Sequence, residues 1–294
     1  MHSLSRRDFL AASATLSATA ILGHPRFAFA ADAPGAKMKL GLVTYLWGQH
    51  MDLPTLISAC ETSKVLGVEL RVDHAHNVSP KLSADERAEV RKRFEDSPVV
   101  CVGMGTNQEY HQPSERAVAR SIEQTGEYLK LSHDIGATGV KVKPNNFVEG
   151  EEHAVTIERI GKALKKCGEM AADYGQEIRL EVHGQCSELP TIKAIMDVAD
   201  HPLVKVCWNS NDQDLEGDGL VHNFNLVKDR FGATAHVREL NIGDYPYQDL
   251  IKLFVDMDYD GWILLEARTD PEDKVAALIE QREVFEQMVK QAQA

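Results

Sequence analysis

The stretch Glu177-Ile178-Arg179-Leu180-Glu181-Val182-His183-Gly184 constrains this chain more than any other. Its residues alternate strictly, so a strand here puts Arg179, Glu181 and His183 on one face and Ile178, Leu180 and Val182 on the other. Two charges and an imidazole on an inward sheet face are costly unless partners meet them. The apolar reverse face asks for a covering of helices. Inward polar groups at the carboxyl end of a helix-covered strand point to a (β/α) barrel with its site at that end.

The rest of the sequence repeats the unit. Strand signals at 38–47, 67–73, 98–105, 139–143, 177–184, 203–209, 233–240 and 261–267 alternate with helical spacing at 52–66, 83–96, 114–135, 151–174, 187–199, 223–231, 245–257 and 271–291. Ser83 with Glu86 three residues on is a capping box, and Pro54 and Pro271 stand at helix starts. Gly67, Gly139 and Gly261 precede strands, where the chain must turn back. Eight strand–helix units without a linker predict one α/β domain, a single (β/α)8 TIM barrel over 38–294. An open doubly wound sheet is the alternative, but no glycine-rich phosphate turn follows the first strand.

The N-terminus reads as an address. Ser5-Arg6-Arg7-Asp8-Phe9-Leu10 is a twin-arginine pattern, a mildly apolar run follows, and Ala28-Phe29-Ala30 offers small residues before a cleavage point. Residues 1–30 are therefore expected to be a twin-arginine signal peptide, with 31–37 a linker and the mature protein periplasmic and free of the membrane. Cleavage removes Arg6, Arg7 and Arg26 against Asp8 and takes the net charge from −13 to −15. That balance disfavours a nucleic-acid partner, whose phosphates need a basic surface. The five cysteines include no CxxC pair, and Cys101 and Cys207 lie in apolar, strand-like runs, so they read as small core residues rather than bridges.

Period two collects polar residues at the strand ends: Arg71, His74 and His76; Lys141 and Lys143; Glu181 and His183; Asn209 and Asn211; His236 and Arg238; Glu266 and Arg268. In this register Glu181 and Glu266 face each other across the barrel mouth.

The segments Gly67-Val68-Glu69-Leu70-Arg71, Leu180-Glu181-Val182-His183-Gly184, Val206-Cys207-Trp208-Asn209, His236-Val237-Arg238 and Leu265-Glu266-Ala267, in this order, resemble the xylose-isomerase-like superfamily of sugar phosphate isomerases and epimerases. The resemblance implies a divalent metal at the mouth, Mn2+, Mg2+ or Zn2+, held by Glu, Asp, His and Glu from the last four strands. It also implies proton transfer by the two glutamates through an enediolate. Glu181 and Glu266 match the outer positions as catalytic and metal-binding residues. Asn209 stands where Asp is usual and can still offer a carbonyl oxygen. Arg238 stands where His is usual and cannot ligate a metal; in a register displaced by two, His236 is the ligand instead. His76, Lys143, His183, Asn209, Arg238 and Arg268 complete the set as substrate-binding residues.

The resulting expectation is an exported isomerase or epimerase of a sugar or sugar derivative, with a small-molecule sugar as its partner and a homo-oligomer allowed. A lyase or dehydratase acting on an oxidised sugar is not separated from it. The alternatives are a non-catalytic sugar-binding barrel that has lost the metal site, and an apurinic-site endonuclease, against which the acidic charge and thinned ligand set argue.

Overall fold

The computed structural model describes residues 33–294. The expected signal peptide (residues 1–30) and its expected cleavage point lie outside the described residues. No helix among the described residues is long and apolar enough to cross a membrane.

Among the described residues, eight parallel strands alternate with eight α-helices. The strands are β1 (Lys39–Val43), β2 (Gly67–Arg71), β3 (Val100–Glu109), β4 (Gly139–Lys143), β5 (Glu177–Glu181), β6 (Val204–Cys207), β7 (Thr234–Val237) and β8 (Trp262–Leu265). The helices are α1 (Leu53–Ser63), α2 (Ala84–Glu95), α3 (Glu115–Asp134), α4 (His153–Ala172), α5 (Leu189–Ala199), α6 (Gly219–Val227), α7 (Tyr247–Asp256) and α8 (Lys274–Ala292), with short 3-10 turns at Asp212–Leu215 and Lys228–Arg230. The strand order is β6-β5-β4-β3-β2-β1-β8-β7. Between β6 and β7 the ring is joined by isolated bridges, Val206 to Phe231 and Asn209 to His236, rather than a full ladder. The single (β/α)8 barrel expected from the alternation is the fold observed.

Local chemistry explains most boundaries. Asp52 caps α1 by accepting from the Thr55 N–H at 2.9 Å, and Ser83 and Glu86 form the expected capping box of α2. The second strand stops two residues earlier than its pattern suggests, because Asp73 takes a left-handed backbone at φ 63°. The first strand likewise ends at Val43, and the chain then turns: the Tyr45 N–H donates back to the Val43 carbonyl.

The two faces of β5 divide as period two requires. Ile178, Leu180 and Val182 belong to the large apolar cluster beneath the helices. Arg179 and Glu181 point into the barrel and are fully buried. Arg179 fills the base: it donates to Glu177 at 2.9 Å, to the Val102 carbonyl at 2.8 Å and to Thr138 Oγ1 at 2.7 Å. The space for it comes from Gly103 and Gly139, where an added Cβ would stand 2.9 and 2.8 Å from the guanidinium. At Gly67 an added Cβ would come within 2.3 Å of the Trp262 ring. All five cysteines are buried free thiols.

Candidate active site

The carboxyl ends of β2, β4, β5, β6, β7 and β8 bring one polar cluster together above this base. Glu181 is its hub. Oε2 accepts from the Lys141 ammonium at 2.7 Å. Oε1 faces the Asn209 amide nitrogen at 3.2 Å and His236 Nδ1 at 3.3 Å. On its far side the imidazole meets Glu69 through Nε2 at 3.4 Å. Glu69, Lys141, Glu181 and His236 are all essentially without solvent exposure. Glu266 projects from the end of β8 into the same cluster, and among the described residues no protein group donates to its carboxylate. One ligand atom each from Glu181, His236 and Glu266 lie within 4.8 Å of one another.

The environments push the two facing glutamates apart. Burial raises the Glu181 carboxyl, but the Lys141 ammonium and then the His236 hydrogen bond outweigh it and hold the group well below the usual range. Glu266 is raised, first by burial and then by the negative charge of Glu181. One carboxylate is thus kept ionised while its neighbour leans toward the neutral acid, the arrangement that separates a base from an acid. Burial, and next the charge of Lys141, push Lys143 down to about 8. Burial also lowers His183, whose Nδ1 meets Asn145 Oδ1 at 2.8 Å.

Two carboxylates and an imidazole are donor types that a divalent transition metal takes, but one of them, Glu181, already accepts from the Lys141 ammonium at 2.7 Å. His236, not Arg238, is the residue of β7 that stands with the two glutamates. Arg238 follows two residues later, half-buried, with its backbone N–H donating to Tyr247 at 3.1 Å. Asn209 adjoins the cluster through its bond to Glu181.

The other expected site residues divide. Lys143 and His183 stand at the mouth, half-buried, beside the cluster. His76 is buried, and both of its ring nitrogens are taken by backbone: Nε2 meets the Arg71 carbonyl at 2.8 Å and Nδ1 accepts from the Val78 N–H at 3.0 Å. It braces the loop after β2 as a neutral imidazole, its pKa pushed down to about 4 chiefly by burial. Arg268 is exposed, and its backbone N–H donates to Glu239 at 3.0 Å. That carboxylate also accepts from the Thr269 N–H at 2.7 Å and ties the end of β8 to β7. Glu69 was not among the expected site residues, although it shares strand parity with Arg71, which was the available signal.

Beside the mouth, Asp214 joins the loops after β6 and β7. Its Oδ2 accepts from the Tyr245 hydroxyl at 2.6 Å and the Asn211 N–H at 2.8 Å, while Oδ1 is buried with no partner among the described residues. Burial pushes its pKa up to about 7. Because the folded value lies above the unfolded one near 4, stability falls as pH rises from about 4 to about 7 and then levels. Asp214→Asn cannot ionise, so it should exceed the wild type in stability at pH 8 by about 2–4 kcal/mol, the gap shrinking toward pH 4. Urea unfolding at several pH values checks this, and a gap independent of pH would refute it.

A family model described as xylose isomerase-like TIM barrel matches residues 57–288. The chain belongs to the xylose isomerase-like TIM barrel family. No curated protein matches the sequence. Solved structures share this family's fold at low identity. A 3-keto-D-glucoside 4-epimerase from E. coli superposes with a TM-score of 0.71 at 14% identity, covering 85% of this chain and 99% of that one. An L-ribulose 3-epimerase gives 0.74 at 14% identity, covering 87% and 95%. The IOLI protein with a binding zinc atom gives 0.68 at 13% identity, covering 86% and 99%. A groove of about 710 Å³ on the outside of the barrel, between α3 and α4, is lined by Ile122, Arg159 and Lys162 and holds none of the clustered groups.

Proposed function

We propose that this chain is an exported enzyme that isomerises or epimerises a sugar or sugar derivative by moving a proton between Glu181 and Glu266. The observation that carries the reading is the pair itself: two carboxylates on β5 and β8, converging at the carboxyl end of a barrel, one held ionised and one raised toward its acid. Glu181 takes the proton from the carbon beside a sugar carbonyl, and Glu266 returns one to the resulting enediolate. Lys143, His183 and Arg238 orient the sugar oxygens at the rim, and charge on the enediolate is met by these cationic and polar groups. Fold neighbours that epimerise 3-keto-D-glucosides and L-ribulose support the substrate class. The twin-arginine pattern at Arg6-Arg7 supports export to the periplasm.

A divalent ion would be held by Glu181, His236 and Glu266 in competition with the Lys141 ammonium for Glu181, a ligand set supported by the zinc-bound neighbour. Such an ion would supply Lewis-acid chemistry toward the sugar carbonyl, with Glu181 and Glu266 keeping their proton-transfer roles.

The test is to incubate the protein with ketoses and 3-keto sugars in heavy water and follow deuterium entering the carbon next to the carbonyl. Exchange with at least one sugar is expected. Sugar binding without exchange on any of them would instead favour a non-catalytic sugar-binding barrel.

A further inference from the structure

One fully buried charge of the site is a lysine. Lys141 is 1% exposed, its ammonium lies 2.7 Å from Glu181 Oε2, and both side chains are closed to solvent. Its place follows from β4: Gly139, Lys141 and Lys143 share the inward face, and Lys141, paired in register with Arg179, reaches with its side chain one inward position along β5 to Glu181. The other oxygen of Glu181 is met by Asn209 and His236. Three of the roughly four directions in which a carboxylate accepts are therefore filled by protein groups. The position after β6 carries a neutral amide, Asn209, so the anions within reach of an incoming ion at this level are Glu181 and Glu266.

A dication joining Glu181, His236 and Glu266 would share the Glu181 carboxylate with the Lys141 ammonium, which lies 2.7 Å from Oε2. Two cations drawn to one buried carboxylate repel strongly, even at an effective dielectric near 20. The ammonium is shut off from water, since the Lys141 side chain has no solvent exposure.

We propose that Lys141 is the resident cation of this site: its ammonium and a divalent metal ion compete for Glu181, so the site binds metal weakly and its carboxylates stay assembled without one. A buried carboxylate with a bonded ammonium persists where a lone buried carboxylate would not. The inference concerns the site of the proposed activity but is read out by metal binding alone. Failure of the sugar chemistry would appear as absent deuterium exchange, which this experiment does not measure.

The experiment loads the purified protein with Mn2+ or Zn2+, desalts it and measures metal content, then titrates each ion calorimetrically into wild type, Lys141→Met and Lys141→Arg. The wild type should retain less than one ion per chain. Lys141→Met should bind at least on the order of tenfold more tightly, while Lys141→Arg, which keeps the charge, should bind as weakly as wild type. Stoichiometric retention by the wild type overturns the proposal, as does a Lys141→Met protein that binds no more tightly. Circular dichroism reports whether Lys141→Met folds. If it does not, retention by the wild type and Lys141→Arg decides the matter.

Discussion

Glu266→Gln should cut deuterium incorporation at the reacting carbon by about 10²–10⁴-fold, the usual share of a positioned acid or base. It should do so with little loss of stability. No protein group donates to the Glu266 carboxylate among the described residues, and burial and the Glu181 charge already disfavour its ionised form. Exchanging it for a neutral amide therefore leaves no partner orphaned, and the thermal midpoint should move by only a few degrees. Glu181→Gln should lose exchange to a similar extent but at a structural cost. It removes the counter-charge of a buried ammonium 2.7 Å away. Breaking one side of such a pair typically costs about 3–5 kcal/mol. The two variants thus separate chemistry from folding: both lose exchange, and Glu181→Gln alone unfolds markedly earlier. Unchanged exchange in a folded Glu266→Gln protein would remove the two-glutamate mechanism.

Arg179→Met should lower stability by about 3 kcal/mol, at the low end of what breaking a buried ion pair costs. The guanidinium is fully buried and makes three hydrogen bonds at the barrel base. Two of its partners keep another bond when it goes: the Val102 carbonyl still accepts from Thr138 Oγ1 at 3.0 Å, and Glu177 still accepts from the Ala233 N–H at 3.0 Å. That residual pairing is why the lower figure is expected. Methionine also fails to reach the floor left open by Gly103 and Gly139, so a cavity adds to the loss. In a domain of this size the change corresponds to roughly 6–12 °C in thermal midpoint, measurable by calorimetry. A shift below about 1 kcal/mol would mean the base is held together some other way. Exchange activity measured well below the midpoint should survive, because Arg179 lies a layer beneath the carboxylates.

Much of this protein was legible along the chain because its information is periodic. Alternation over 177–184 assigned the inward face of β5, and the same parity carried Lys141, Glu181 and Glu266 to one end of the barrel. Parity is local and survives small errors of boundary. The end of a strand is not periodic, and there the sequence reading slipped. Asp73, at φ 63°, ended β2 early. His76 looked like a mouth residue until the Arg71 carbonyl and the Val78 N–H were seen to occupy its ring. On β7 parity admits both His236 and Arg238. Their heights differ by two residues, and only the bridge from Asn209 to His236 across the β6–β7 junction chooses between them.

By itself, then, the sequence determined an eight-unit parallel barrel and a pair of acidic groups at its carboxyl end, since side-chain period and strand direction are properties of the backbone alone. The tertiary structure decided which groups meet: Lys141 against Glu181, Glu69 behind His236, and Glu266 left with no donor among the described residues. Those contacts join residues as far apart as 69 and 236. They depend on the stagger between strands around the ring, which no single strand encodes.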